Sequence, residues 1–449
     1  MLSNGKWSPV RLGDVVSIKH GWPFKSEFFS EELTGRPIVV AVGNFRYTGG
    51  FRFESTAVKE YRADYPRDYE LKPGDTLLVM TCQTAGGEIL GIPARIPDDG
   101  RTYLHNQRLG KVVVERPDCV DEDFLYWVFL WSEFNQELFA TSSGTKIVHT
   151  APSRIEAFRF DLPPLPEQRA IARILGALDD KIELNRQMNV TLEGMARALF
   201  KSWFVDFDPV TAKAAGRQPF GMSPDLAALF PDRFTDSPLG PIPEGWHVST
   251  IGEAVRVVGG STPSTNEPRY WEGGTIHWCT PRDLSRLVDP VVLDTERKIT
   301  EAGLGRISSG LLPKGTVLLS SRAPIGYLAI AEVPLAVNQG FIAMICDKQL
   351  PNQYVLRWAE ENMDEILSRA GGTTFAEISK RSFRPIPVLI PARPVLDAFV
   401  VRTDEWHEQV AENLRESTVI AQTRDALLPQ LLSGEIRLRQ AEKLVEEVA

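Results

Sequence analysis

The six histidines, His20, His105, His149, His247, His277 and His407, are scattered along the chain. No two have the spacing of metal ligands, so each is expected as a surface or turn residue and no bound metal is expected. Cys82, Cys119, Cys279 and Cys346 stand far apart with no Cys-x-x-Cys. That indicates neither a zinc knuckle nor a disulfide framework. There is no Walker-type phosphate loop, no G-x-S-x-G and no H-E-x-x-H. An adenine methyltransferase would need an Asn/Asp-Pro-Pro-aromatic loop. The nearest run, Asp161-Leu162-Pro163-Pro164-Leu165, has the wrong spacing and no aromatic. Asp283 followed by Glu296-Arg297-Lys298 has the outline of a nuclease set, but Glu-x-Lys triples are common by chance. The expectation is a chain that catalyses nothing alone and binds no cofactor.

What remains is recognition. One half of the chain offers Lys25, Arg46, Tyr47, Arg52, Gln83, Thr84, Arg108 and Lys146. The other offers Ser264, Thr265, Asn266, Arg269, Tyr270, Arg282, Arg286, Ser321, Arg322, Lys380 and Arg381. Arg, Lys, Gln and Asn read base edges, while Ser, Thr and Lys hold phosphates. The bland alternative is ordinary solvated loop side chains. Asn106-Gln107 and Asn338-Gln339 occur in both halves. Readers of different targets should differ at base-reading positions, so these two pairs are expected to shape turns or bond backbone.

The elements that must position these residues are duplicated. Trp7, Leu12, Gly13, Asp14 and Val16 match Trp246, Ile251, Gly252, Glu253 and Val255 at an offset of 239. The run from Leu71 to Leu78 matches Leu312 to Leu319 at 241. Asn106-Gln107 matches Asn338-Gln339 at 232; Gly144-Thr145 matches Gly372-Thr373, and Ala198-Leu199-Phe200 matches Ala426-Leu427-Leu428, both at 228. Order is kept while loop lengths differ, the pattern of a tandem duplication. Leu77–Met80 and Val317–Ser320 read as short strands after a glycine turn, and Lys111–Val114 and Phe341–Ile345 as two more.

Pro163-Pro164-Leu165-Pro166 blocks regular structure, and a helix starts from Glu167. Ile171, Leu178, Asn185, Leu192 and Leu199 are spaced by seven, with Ile174, Met188 and Met195 at the accompanying positions, as in a coiled-coil seam. From Ile171 to Trp203 such a helix is roughly 50 Å long at about 1.5 Å per residue. A second helix, around Val395 to Leu432, keeps the spacing with Phe399, Trp406, Asn413, Ile420 and Leu427. Asn185 and Asn413 are matched by the repeat. They either lie buried and fix the register or are solvated at frayed points. The expected class is α+β: two tandem-duplicated α/β recognition domains separated by two long helices that pair as an antiparallel coiled coil. The division expected is 1–162 first domain, 163–204 central helix, 205–245 connector, 246–391 second domain, 392–434 C-terminal helix and 435–449 acidic tail. The connector holds Pro209, Pro219, Pro224, Pro231, Pro238, Pro241 and Pro243 with Phe and Trp, and reads as an ordered strap over the surface.

The 449 residues, 43% hydrophobic and 24% charged, exclude disorder and suit more than one core. The net charge of −9 argues against a wholly basic nucleic-acid binder. From Asp397 to Glu447, however, acids outnumber bases eleven to six, so the global sign says little about the loops. No apolar run approaches the roughly 18–20 residues of a membrane span, and Met1 to Trp7 has no signal core. A cytoplasmic chain away from membranes is expected.

Four runs resemble the specificity subunits of Type I restriction-modification systems. They are Leu162–Ala172 (LPPLPEQRAIA), Leu199–Val210 (LFKSWFVDFDPV), Pro241–Trp246 (PIPEGW) and Leu427–Ile436 (LLPQLLSGEI). The resemblance covers essentially the whole chain. It implies that two target-recognition domains each read one half of a bipartite, asymmetric site in double-stranded DNA. It implies that two helices set the gap between the halves. It also implies two modification subunits carrying S-adenosylmethionine for adenine-N6 methylation, and two ATP-dependent, Mg-requiring restriction subunits, with no catalytic residue on this chain. Ile390–Val395 (IPARPV) lacks the Pro-Glu-Gln entry of residues 166–168, which weakens the implied symmetry of the modification-subunit contacts. Two alternatives stay open: a specificity subunit of a related methylation-based defence system, and an interaction scaffold that does not read DNA.

Overall fold

A computed structural model describes residues 7–53, 58–372 and 376–446. Met1 to Lys6, Thr373 of the second Gly-Thr pair and Glu447 to Ala449 lie outside the described residues. The chain forms two compact units, Met1–Ile182 with Val419–Ala449, and Glu183–Thr418. The division passes through both long helices rather than falling at their ends.

In the first unit a four-stranded antiparallel sheet runs in the order Val16–His20, Leu109–Val114, Thr76–Val79, Pro93–Arg95. Beside it lies a five-stranded sheet in the order Phe29–Ser30, Glu60–Tyr61, Ile38–Val39, Tyr103–Leu104, Glu70–Leu71. In the second unit the larger sheet runs Arg256–Val258, Phe341–Ile345, Val317–Ser321, Ile325–Ala331, Val291–Val292. The smaller one runs Arg297–Ile299, Ile276–Cys279, Leu335–Val337. Thr76–Val79 and Val317–Ser321 are buried on both faces, which explains apolar runs rather than alternation. Each follows a turn whose glycine, Gly74 or Gly315, sits at φ +86°, where a side chain would be strained.

The duplication holds residue by residue. Ser8 pairs with Leu162 in one unit and His247 with Ile390 in the other, each shifted by its own repeat offset. The parallel pair Tyr103–Ile38 recurs as Leu335–His277. Gly13 N–H donates to Glu156 O, and Gly252 N–H to Arg384 O. The hairpin bridge Ser143–His149 recurs as Gly371–Glu377.

The first long helix is Leu165–Phe200, continued by a π turn at Lys201–Val205; the second is Arg393–Leu432. They pair antiparallel within each unit. In the first, Ile171, Ile174, Leu175 and Leu178 share a core with Ile420, Leu427, Leu428 and Leu431, and Arg424 donates to Asp179. In the second, Leu192 packs with Val410, Ala411 and Leu414, and the Phe200 and Phe399 rings lie 6.1 Å apart. Asn185 and Asn413 are both buried. The Asn185 amide donates to Glu416 (2.6 Å) and Ser417 (3.2 Å); the Asn413 amide donates to Asn189 (2.8 Å), which donates to Asp289 (2.9 Å). The register contact of Asn413 is thus with Asn189 rather than with the side chain of Asn185.

The sevenfold seam drifts. Met188 (38%) and Met195 (44%) are exposed, and Leu192, Leu199 and Trp406 are only half-buried. Asn189, Glu193, Ala196 and Phe200 face inward instead, as do Thr403 and His407 on the second helix. A strict seven-residue repeat slips by about 20° per heptad on a straight α-helix, so over this length the 3.6 period wins.

Three further expectations are corrected. His105 and His407 are buried, not surface residues. The acidic tail contains a helix, Leu438–Glu446, whose Ala441 is fully buried and whose Leu438 and Val445 pack on the first unit's core. The connector is not merely a strap: Val210, Phe230 and Ile242 belong to the second unit's core.

The missing Pro-Glu-Gln entry has a physical counterpart. Gln168, fully buried, accepts from Asp121 N–H and donates to Cys119 O and Pro163 O; Trp7 Nε1 donates to Glu167. In the second unit the equivalent positions are the buried Val395 and Leu396, and the indole N–H of Trp246, the match of Trp7, has no partner among the described residues. Hydrogen bonds fasten one helix entry and apolar packing the other. Among the described residues no helix is long and apolar enough to cross a membrane.

Candidate nucleic-acid interface

In the first unit the loops that follow strands Ile38–Val39, Thr81–Cys82 and Tyr103–Leu104 meet around one concavity of about 580 Å³. Its lining includes Arg46, Tyr47, Arg52, Gln83, Thr84 and Arg108, six of the eight side chains singled out in this half. Cys82 and Ile89 give it an apolar floor. They were not foreseen; the position of Cys82 at a strand end, just before Gln83, is the signal that could have found it. Lys25 and Lys146 are exposed but do not line the concavity. Lys146 sits in the hairpin 143–149, where Gly144 at φ +103° makes the bend. Thr84 gives its hydroxyl to Glu88, and that bond holds the carboxyl below its usual range.

The frame beneath these loops is tight. A Cβ on Gly21 would fall 2.2 Å from Asn106 O, and one on Gly260 1.7 Å from Val337 O. Asn106 Oδ1 accepts from Arg108 N–H (3.3 Å) and Asn338 Oδ1 from Gly340 N–H (2.8 Å), the same turn bond in both units. The recurring asparagines shape backbone, whereas Gln339 accepts from Thr262 (2.6 Å). Beneath Asn106, the buried His105 Nε2 lies 2.9 Å from Leu109 O. Burial pushes its pKa down to about 4, against the raising effect of that carbonyl. A group with a depressed folded pKa that is buried neutral contributes stability that is full above pH 6.5 and lost as pH falls through 4. The first unit is therefore expected to melt at markedly lower temperature at pH 4.5 than at 7.5. His105→Gln, which keeps a donor for Leu109 O, should flatten that difference in a calorimetric series.

In the second unit the equivalent loops also adjoin one another. Ser261 N–H donates to Val337 O, Asn338 N–H to Cys279 O, Ser321 N–H to Gly340 O and Ile378 N–H to Ser321 O. Ser264, Thr265, Asn266, Arg269, Lys380 and Arg381 are exposed. Two candidates are not available to DNA. Tyr270 is buried with its hydroxyl held by Arg306 (2.9 Å), and Ser321 is a buried strand residue. Arg286 (2.6 Å) and Arg282 (3.7 Å) reach Glu296, and Arg322 reaches Glu377 (3.7 Å). The nuclease-like set is structural: Asp283 accepts from Thr280 N–H and hydroxyl and from Glu296 N–H, capping a helical turn.

Fold and site together define a duplicated protein with two loop-built polar faces on one frame, joined through paired helices. The profile of the Type I restriction modification DNA specificity domain matches residues 4–194 and 243–395, most of the chain. The Type I restriction enzyme HindI specificity subunit of Haemophilus influenzae is 26% identical over 402 residues, covering 78% of this chain and 86% of that one. The MjaIX specificity subunit of Methanocaldococcus jannaschii is 36% identical over 189 residues, 42% of this chain and 43% of that one. The crystal structure of a Type I S subunit from M. genitalium aligns over 96% of this chain and 98% of that one, with a TM-score of 0.57 at 16% identity. The chain belongs to the family of Type I restriction-modification DNA specificity subunits.

Proposed function

We propose that this chain reads a bipartite, asymmetric site in double-stranded DNA, one half with each unit. It would present that site to two modification subunits, which carry S-adenosylmethionine for adenine-N6 methylation. Two ATP- and Mg-dependent restriction subunits complete the assembly in the cytoplasm. The observation that carries the reading is a common frame with divergent tips. The turn asparagines Asn106 and Asn338 make the same bond. At matched loop positions, however, Lys25 stands against Ser264, Tyr47 against Arg286 and Gln83 against Pro324. Duplicated frames with different base-reading side chains suit two different half-sites. The chain supplies no catalytic residue in this reading. Alone, with labelled S-adenosylmethionine and duplex DNA, it should transfer no methyl group. The deciding experiment exchanges residues 1–162 for the matching region of a relative and sequences the methylome. One half of the methylated motif should change and the other persist; a change in both halves overturns the two-reader scheme.

A further inference from the structure

The smaller sheet of the second unit carries an aromatic platform. Trp271 and Trp278 meet edge to face, centroids 5.0 Å apart. The Arg297 guanidinium lies 3.6 Å from the Trp271 centroid and 5.4 Å from that of Trp278. Next to them the Arg306 guanidinium stands 5.6 Å from the Tyr270 centroid and donates through Nε to its hydroxyl. Both arginines are exposed. Among the described residues neither has a carboxylate within salt-bridge distance, unlike Arg269 with Glu267 (3.3 Å) and Lys298 with Asp294 (3.3 Å). Glu272, Glu301 and Glu296, the last bound by Arg286 (2.6 Å), are the other exposed acids of these segments.

The platform is fastened to the reading loop. Trp271 Nε1 donates to Ser264 O (2.9 Å), Trp278 Nε1 to Ser261 O (3.3 Å), and the Ser261 hydroxyl to Arg306 O (3.2 Å). The fold does not require it. Strand register gives Trp278 the place of Val39 in the first unit, where Tyr61, Leu104 and Phe29 fill the space; the arginine over a ring there, Arg67, lies 5.8 Å from the Tyr65 centroid and is paired with Glu70. A guanidinium held against an indole or by a phenol loses little freedom on binding and keeps N–H groups for an oxyanion.

We propose that Arg297 and Arg306 hold the DNA phosphate backbone beside the half-site read by the second unit. They would position the duplex without reading sequence. The inference rests on the reading of that unit as a DNA reader. Each phosphate contact contributes about 0.9 to the slope of log affinity against log salt, so two contacts contribute about 1.8 and roughly 60-fold in affinity at 0.1 M salt.

The test is a binding series at four salt concentrations. It uses the chain assembled with its modification subunits and a duplex carrying the methylated motif. Arg297→Gln with Arg306→Gln should lower the slope by about two and leave the methylated motif unchanged. Arg297→Lys with Arg306→Lys, which keeps the charges, should retain most of the slope. Three results overturn the inference: an unchanged slope in the glutamine pair, an equal loss in both pairs (collapse of the platform rather than loss of charge), or an altered motif, which would assign these arginines to bases. Failure of the unaltered assembly to bind its duplex would instead sink the DNA-reading function itself.

Discussion

Glu193→Ala is expected to destabilise the second unit by about 3–5 kcal/mol, toward the lower end because one partner remains. Glu193 and Arg357 are both buried, with Oε2 and Nη2 2.8 Å apart. Arg357 also reaches Glu360 (2.9 Å), and Arg197 bridges Glu360 (3.2 Å) and Glu193 (3.5 Å). The network ties the first long helix to helix Asn352–Glu361. Removing the carboxylate leaves a guanidinium in the core with less than half its donors matched, since Arg357 Nε already has no partner among the described residues. Replacing both ends, Glu193→Leu with Arg357→Met, should recover most of the loss, because no buried charge is then stranded. Chemical denaturation of the two variants separates the cases. If the double variant is as unstable as the single one, packing rather than charge pairing governs this site.

The same network shows why part of the molecule was legible from sequence and part was not. Strands such as Thr76–Val79 and Val317–Ser321 announce themselves, because three consecutive apolar residues after a glycine turn have one economical conformation. The duplication was legible in part because the matched glycines Gly13 and Gly252 leave little room for a side chain: a Cβ would fall 2.9 Å from Glu156 Cβ and 2.8 Å from Arg384 Cβ. The seam was legible only at first. Ile171 and Leu178 are buried, but a spacing of seven extended to Met195 ignores the drift of a straight helix and leaves out the buried Glu193. Its partner lies 164 residues away, a distance that periodicity does not see. At the reading faces, residue type picked six side chains around one concavity but also took in Tyr270 and Ser321, whose orientation only tertiary packing decides. The stacked Arg297 was legible only as part of a false nuclease triple.

The second large effect concerns the gap between half-sites. The helix Leu165–Phe200 runs from the first unit into the second, and Arg393–Leu432 runs back. In the proposed scheme their length sets the gap. The place to lengthen them is between Ile182 and Glu183 and between Thr418 and Val419. An insertion after Leu192 would separate Asn185 and Asn189 from Glu193, splitting the polar contacts that hold the second unit to its helices. One heptad added at each point lengthens the pair by roughly 10 Å at about 1.5 Å per residue, while seven residues turn an α-helix back to within about 20° of its starting face. At about 3.4 Å per base pair, the methylated motif should keep both halves and gain about three base pairs between them. Three base pairs also carry the second half-site roughly 100° around the duplex at about 10.5 base pairs per turn, so affinity should fall even as the longer gap becomes the preferred one. Methylome sequencing reads the gap directly. A heptad in only one helix should leave the Asn413–Asn189 contact of the second unit and the Arg424–Asp179 contact of the first unable to form together, and abolish methylation. An active paired variant with its original gap would mean that these helices do not set the spacing.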